Sequence, residues 1–456
     1  MKGLLFSLLI LTLANAAQSQ ILQEGFHVPG TFPTAAAFGD VNSDGQIDFL
    51  QTYNAFTGQS PLNATKVWIN NGDSTFTLFG EFGTAVNEDI KLADMDNDGD
   101  LDAVTSSRIF LNDGTGTFTI GQYLGNDVWA VEVADFNEDG FMDVFCAVYN
   151  LQAEDKLYLS QGSAQSLILT QMPWTTGSYS SEATVVDINQ DNHMDIIILK
   201  GNSPLQARRE NEIWTGNGDG TFFKSPQMLP QVATWKVDSG DYNGDGTIDL
   251  VVVEADNLVR GYLNNGTSLF QNFTTLYSAE PASDVDLVDI DVDGDLDLVI
   301  AKFAFGTETY SSVVLFNDGN GNFTEGSEEF SISDTFDIEA FDIDNDNDKD
   351  LFTINVNDAD SVFWINQTDP VLAINENEFS NIALFPNPAK NFINLKFHNT
   401  TVSSVTLFST LGNLQQHYSI DSDNFHLNIE NLTPGVYYLK IALEDGKFRM
   451  TSFIKK

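Results

Sequence analysis

Cysteine is nearly absent from this chain. Cys146 is the single one in 456 residues, so no intrachain disulfide can form. In the apolar run Val144-Phe145-Cys146-Ala147-Val148 it reads as a buried structural thiol rather than a nucleophile. Basic residues are scarce as well: 20 Lys and Arg stand against 66 Asp and Glu, a formal charge of −46. That balance excludes the clustered cations needed to displace counterions from nucleic acid, and it argues against anionic membrane surfaces. A phosphate-cradling glycine loop and a CxxC pair are also lacking. Past the first residues no apolar run approaches the length that crosses a bilayer.

What is present starts with an export signal. Met1-Lys2-Gly3 is a basic start, Leu4 to Leu13 a short apolar core, and Ala14-Asn15-Ala16-Ala17 supplies small residues for cleavage. Residues 1–17 therefore read as a signal peptide. A protein exported without disulfides must be stapled some other way.

The acidity falls in short, regularly spaced clusters. The pattern D-x-[ND]-x-D-[GN]-x-x-D opens at Asp40, Asp94, Asp135, Asp187, Asp241, Asp289 and Asp342, at intervals of 41 to 54 residues. That period suits propeller blades. Alternating stretches such as Val128 to Ala134 precede the loops, and β-branched runs such as Leu250-Val251-Val252-Val253 follow them. A second signal is a strand ending in an Asn/Asp-Gly turn, as in Ile109-Phe110-Leu111-Asn112-Asp113-Gly114. The predicted fold is all-β: a seven-bladed β-propeller over 21–368, each blade four antiparallel strands with the acidic loop joining the first two. The seventh repeat stops after Phe363-Trp364-Ile365-Asn366, and the spare segment Ile21 to Val28 is expected to pair with it and close the ring.

In each nine-residue loop, oxygens at positions 1, 3, 5 and 9 can converge on one cation, with the backbone carbonyl of position 7 completing the set. The ligands expected are Asp40, Asn42, Asp44, Gln46 and Asp48; Asp94, Asp96, Asp98, Asp100 and Asp102; Asp135, Asn137, Asp139, Phe141 and Asp143; Asp187, Asn189, Asp191, His193 and Asp195; Asp241, Asn243, Asp245, Thr247 and Asp249; Asp289, Asp291, Asp293, Asp295 and Asp297; and Asp342, Asp344, Asp346, Asp348 and Asp350. Gln46, Asp100, Phe141, His193, Thr247, Asp295 and Asp348 would contribute through the backbone. Position 6 must turn sharply, hence glycine in five loops and Asn192 and Asn347 in the others. All-oxygen ligation with several carboxylates suits calcium, up to seven ions, better than zinc or copper. Without a cation, 24 carboxylates at positions 1, 3, 5 and 9 would be left to repel one another. Such ions would be structural and name no activity.

These loops, Phe38-Gly39 ahead of Asp40 and the Asn-Gly turns resemble the FG-GAP/VCBS repeats of integrin α-subunit propellers and of many bacterial surface proteins. The resemblance covers 21–368. It departs at Asn192 and Asn347 and at a weak second signal, Tyr158 to Gly162, assigned to repeat four. After a polar linker (369–379), residues 380–456 read as a small Ig-like β-sandwich with a PNPA start at Pro386, a Leu411-Gly412-Asn413 turn and Leu432-Thr433-Pro434-Gly435-Val436-Tyr437-Tyr438. These motifs resemble the C-terminal sorting domain of type IX secretion, which implies the type IX machinery as partner and secretion to, or attachment at, the outer cell surface. A carbohydrate-binding sandwich is the alternative.

Catalytic constellations are harder to build. Three of the five histidines, His398, His417 and His426, lie in the tail, His27 lies in the closing strand and His193 in a loop. Aligning the repeats on their first Asp places Glu88, Trp129, Trp235 and Phe336 six residues earlier, with Thr34, Ser181 and Ser283 in register. Lys236 follows one residue on and Asp238 three, and the rest of this lining is mostly acidic. It forms either a solvated pore or a site for a sugar or peptide, with aromatic faces for stacking and carboxylates for hydroxyls. Resemblance to adhesins and FG-GAP lectins implies a non-catalytic binding module for an extracellular glycan or protein. Resemblance to calcium propellers in lyases implies instead a polysaccharide-acting lyase or hydrolase. A lyase needs a cation to neutralise a uronate, and only Lys91 and Lys236 stand in this lining.

Overall fold

The structure is a computed structural model that describes residues 21–368 and 382–456, apart from 31, 54–63, 85, 151, 163–165, 171–178, 202–210, 227–228, 230–233, 255–257, 268–269, 304–309, 333, 357–358, 398–401, 410–413, 421–423, 434 and 444–447. The signal segment 1–17, the linker 369–379, His398, the Leu411-Gly412-Asn413 turn and Pro434 lie outside the described residues. The chain divides into two compact units, Met1–Thr368 and Asp369–Lys456. Among the described residues every regular element is a strand, and no helix is long and apolar enough to cross a membrane.

The first unit holds seven four-stranded antiparallel sheets. Blade 1 runs Pro33–Gly39, Asp48–Tyr53, Thr65–Asn70 and Phe76–Phe82 from the ring's centre outward. Its acidic loop links the first two strands, and the other blades repeat the plan. Second strands such as Asp143–Val148 and Asp249–Glu254 are buried at every position, because both of their faces meet a neighbouring blade. That is why they read as continuous apolar runs and not as alternations. Seven apolar clusters follow, one between each consecutive pair of blades.

The closing interface, blade 7 against blade 1, is built largely from phenylalanine. Phe38 stacks on Phe341 with ring centroids 3.8 Å apart, and Phe76 on Phe363 at 4.7 Å. The outer strand of blade 7 is Leu22–Val28, which pairs antiparallel with Ser361–Asn366, Leu22 opposite Asn366 and Val28 opposite Ser361. The N-terminal strand thus closes the ring, as its sequence suggested. One assignment is corrected: the strand Lys156–Leu159, which contains the weak Tyr158 signal, pairs with Asp143–Val148 and belongs to blade 3, not to repeat four. It follows the third acidic loop and pairs back before the fourth opens.

The second unit is a sandwich of a three-stranded sheet (Ile382–Phe385, Phe392–Phe397, Asn424–Asn428) and a four-stranded one (Leu414–Ser419, Val402–Ser409, Gly435–Leu443, Phe448–Lys455) around one core. Its opening and its end are stitched together. The Ile454 and Lys456 amides donate to Asn387 Oδ1 (2.9 Å) and the Ala389 carbonyl (2.8 Å). Tyr437 packs on Phe453 and donates its hydroxyl to the Thr433 carbonyl at 3.0 Å. The motifs at both ends of this domain are therefore fold determinants.

Candidate functional site

Each acidic loop is wound by its own backbone amides. Asp40 accepts from the Asp44 and Gly45 amides, and Asp94, Asp135, Asp187, Asp241, Asp289 and Asp342 repeat the pair at 2.7–3.2 Å. The carboxylate at position 5 accepts from the amide of position 7 in every loop, as Asp44 does from Gln46 at 2.9 Å. Position 6 is left-handed throughout, Gly45 through Asn347. Position 4 is left-handed as well, a requirement the sequence did not announce. It is glycine only at Gly244, and Ser43, Asn97, Glu138, Gln190, Asn345 and even β-branched Val292 (φ +59°) adopt it.

Position 9 has a double task. Asp48, Asp102, Asp143, Asp195, Asp249, Asp297 and Asp350 are buried, and each accepts the amide that ends its blade's third strand, at 2.7–2.8 Å. Six of them also accept the amide of position 2. These carboxylates lock the loop to the sheet. Burial pushes them up, Asp48 to about 6 and Asp102 and Asp350 to about 7.

Carboxyl oxygens of positions 1, 3 and 9 lie within 4.8 Å of one another in three loops: Asp94, Asp96 and Asp102; Asp289, Asp291 and Asp297; Asp342, Asp344 and Asp350. These are the loops with Asp, not Asn, at position 3. Solvent-shielded oxygens without a hydrogen-bond partner sit in two of these clusters, Asp96 Oδ1 and Asp291 Oδ1, and the fifth loop holds another, Asp249 Oδ2. Buried carboxylate oxygens that no donor reaches, beside two or three others, fit a divalent cation. His193 takes no part through its ring, which meets Glu138 of the preceding loop at 2.5 Å.

On the opposite face six of the seven inner strands, all but that of blade 2, start with a β-bulge about six residues before the loop. Register shifts fall at Trp129, Ser181, Trp235, Ser283 and Phe336, and between Pro33 and Ala36 in blade 1. A bulge re-aims the side chain it carries. Where that residue is Thr34, Ser181 or Ser283, its hydroxyl donates to a carbonyl of the next blade (Asn87, Thr234, Thr335) at 2.7–3.0 Å. Where it is aromatic, it stands in solvent: Trp129 is 40% exposed, Trp235 41% and Phe336 37%. Trp129 lies 4.7 Å from the Tyr149 ring, which lies 4.5 Å from Tyr179. Those tyrosines escaped the repeat alignment because they stand outside the inner strand. Glu88 is half-buried, and its backbone amide donates to Ser106 Oγ at 2.9 Å.

Below the rim, both lysines are already neutralised. Lys236 pairs with Asp337 at 2.7 Å and Glu182 at 3.5 Å, and Lys91 with Glu132 at 3.6 Å. Burial opposes the Lys236 charge, but Asp337, Asp284 and Glu182 hold its pKa well above the usual lysine value. Burial pushes Glu132 to about 7, against the pull of Lys91, and Glu339 to about 8 with Asp337 adding to it. Asp284 and Asp286 are raised well above the carboxylate range by burial. Asp238 spends its carboxylate on the Ser239 and Leu287 amides, both at 2.7 Å, tying blade 5 to blade 6.

Comparison with known families matches the FG-GAP-like repeat at residues 40–105, 104–146, 135–198, 187–252, 241–300 and 289–353. The chain belongs to the FG-GAP-like repeat family. Residues 383–456 match the secretion system C-terminal sorting domain. That domain engages the type IX secretion machinery and sends this FG-GAP protein to the cell surface or the extracellular space. A comparison with curated proteins returns no match. Among solved structures the FG-GAP chain is similar to BBS1N in complex with ARL6DN, in crystals soaked with mercury (10% identity, TM-score 0.51) and with lead (9%, 0.52). Both alignments cover 76% of this chain and 97% of that one. At that identity the likeness is one of fold alone.

Proposed function

We propose that this FG-GAP propeller is a calcium-stapled, non-catalytic binding module that presents the aromatic rim of its channel to an extracellular glycan or protein. The observation that carries the reading is the use of the bulge. In three blades it serves a hydroxyl that bonds to the next blade, and in three others it leaves Trp129, Trp235 or Phe336 about two-fifths exposed to solvent. Exposed aromatic faces beside carboxylates suit sugar stacking and peptide side chains. A lyase-type enzyme has less support, since both lysines it would need are engaged by carboxylates.

Calcium is the cation whose chemistry suits the loops, and FG-GAP repeats commonly bind it. Positions 1, 3, 5 and 9 would supply side-chain oxygens, and position 7 its carbonyl. When bound, the ion supplies positive charge to the clustered carboxylates and cross-links each loop. Ion bound only by the native state, at a hundred times its Kd, adds about 2.7 kcal/mol per independent site. The boundaries proposed are 1–17 for the signal, 21–368 for the propeller, 369–379 for the linker and 380–456 for the sorting domain.

Two measurements test the reading. Stripping with EDTA lowers the melting temperature and calcium restores it; an unchanged melting temperature removes the staple. Glycan and surface-protein arrays retain the purified chain without turnover, and Trp129→Ala with Trp235→Ala abolishes retention while the melting temperature holds. Product release from a polysaccharide panel would instead establish an enzyme.

A further inference from the structure

The seventh loop differs from the other six at position 7. Gln46, Asp100, Phe141, His193, Thr247 and Asp295 are all half-buried at the loop's flank. Two of them are acids, and these face the turn that leads to their blade's outer strand. A Cβ added to Gly114 would stand 2.5 Å from an Asp100 carboxyl oxygen, and one added to Gly319 equally close to Asp295. Blade 7 has no such turn, because its outer strand comes from the N-terminus and the chain leaves the blade at Asn366. Asp348 is 1% exposed, and neither of its carboxyl oxygens has a hydrogen-bond donor. Asp346, Asp350 and Asp344, all members of the same loop, act on it by charge repulsion. A buried carboxylate facing other carboxylates and no donor is held either by a shared proton or by a cation.

We propose that Asp348 ligates the seventh ion through its side chain, making this loop the tightest calcium site of the ring and the clasp of its closure. The proposal rests on the calcium reading above. Five carboxylates, Asp342, Asp344, Asp346, Asp348 and Asp350, then face one ion, and calcium affinity rises with ligand charge count. A short path joins that ion to the N-terminal strand. Asp350 accepts the Asn366 amide at 2.7 Å, Asn366 stands opposite Leu22, and the Gln367 amide donates to the Ile21 carbonyl at 2.7 Å. Asn366 also reaches blade 6, donating to the Ile290 carbonyl at 2.7 Å. An ion here therefore holds the loop, the last strand, the N-terminal strand and the preceding blade.

The test compares the full chain with Asp348→Asn, using Asp100→Asn and Asp295→Asn as position-7 comparators, by calcium titration calorimetry after chelator stripping. Asp348→Asn weakens the tightest class of sites by about tenfold or more, and the comparators leave that class in place. Thermal unfolding gives a second readout that a packing role would not produce. Asp348→Asn melts above wild type in chelator, where a buried charge has been removed, and below it in calcium. Hydrogen exchange of the Leu22–Val28 amides rises with Asp348→Asn in calcium and is unmoved by the comparators. Unchanged affinities, or a lower melting temperature both with and without calcium, would overturn the proposal and leave the other six sites standing. A wild-type chain that takes up no calcium at all would overturn the underlying reading, a distinguishable result.

Discussion

Residue types in the acidic loops follow from three local demands: oxygen atoms facing inward, amides to wind the loop, and two left-handed backbone positions. Position 6 meets its demand with glycine or asparagine, which the sequence displays. Position 4 does not, and Val292 at φ +59° is the outlier, since a β-branched side chain crowds the backbone in that region. Val292→Asn should relieve the strain and raise stability by about 1 kcal/mol, read as a higher urea midpoint in saturating calcium. A fall instead would mean that Val292 packing outweighs its backbone cost. Cys146 behaves as its apolar neighbours suggested: fully buried, its thiol pushed up to about 12 by burial, it is inert.

Single elements show where pattern reading stopped short. The Asn that opens the Asn-Gly turns was legible as a turn residue, but four of these side chains, and Asn366 at the same place in blade 7, also reach back to the preceding blade. Asn70, Asn112, Asn264, Asn317 and Asn366 donate to the carbonyls of Ile343, Val41, Ile188, Tyr242 and Ile290. Blade 3 ends the same strand with Ser160 and blade 4 with Gly216, and in blade 4 the Gly220 amide serves the Phe136 carbonyl instead. A buried carbonyl must find a donor, and any donor at that place will do. Asn264→Ala removes the donor to two carbonyls and should cost about 1–3 kcal/mol, whereas Asn265→Ala, on the exposed turn, should cost little; equal urea midpoints would refute the staple. The inner strands show the opposite case. Their alternation was plain, but the bulge that turns Trp129, Trp235 and Phe336 outward was not, because register is set by pairing between strands.

At the scale of the whole molecule, charge is divided unevenly. Residues 383–456 carry 7 basic and 5 acidic side chains, so the remainder of the chain carries −48. Much of that lies in the loops, and a second share lines the channel, where its titration sets a pH dependence. Glu132 and Glu339 are raised from 4.5 to about 7 and about 8, with burial the leading cause. The native state thus keeps protons that the unfolded chain has released, and stability must fall as pH rises from about 4.5 through 8. Urea midpoints measured across pH 5 to 8.5 in saturating calcium should decline, and Glu339→Gln should flatten the decline. A rise with pH would contradict the burial of these groups.

The sequence by itself determined the repeat, its period, the loop chemistry and the spare first strand, because each is a local pattern that every blade must satisfy alone. Secretion through the sorting domain was legible for the same reason: its motifs are short and contiguous. Tertiary structure alone decided the aromatic seal between Phe38 and Phe341, the ion pairs that occupy Lys91 and Lys236, the outward turn of the rim aromatics and the inward turn of Asp348. Each of these depends on which residues of distant blades become neighbours. That is settled only when the ring closes, through burial and donor availability that no single repeat encodes.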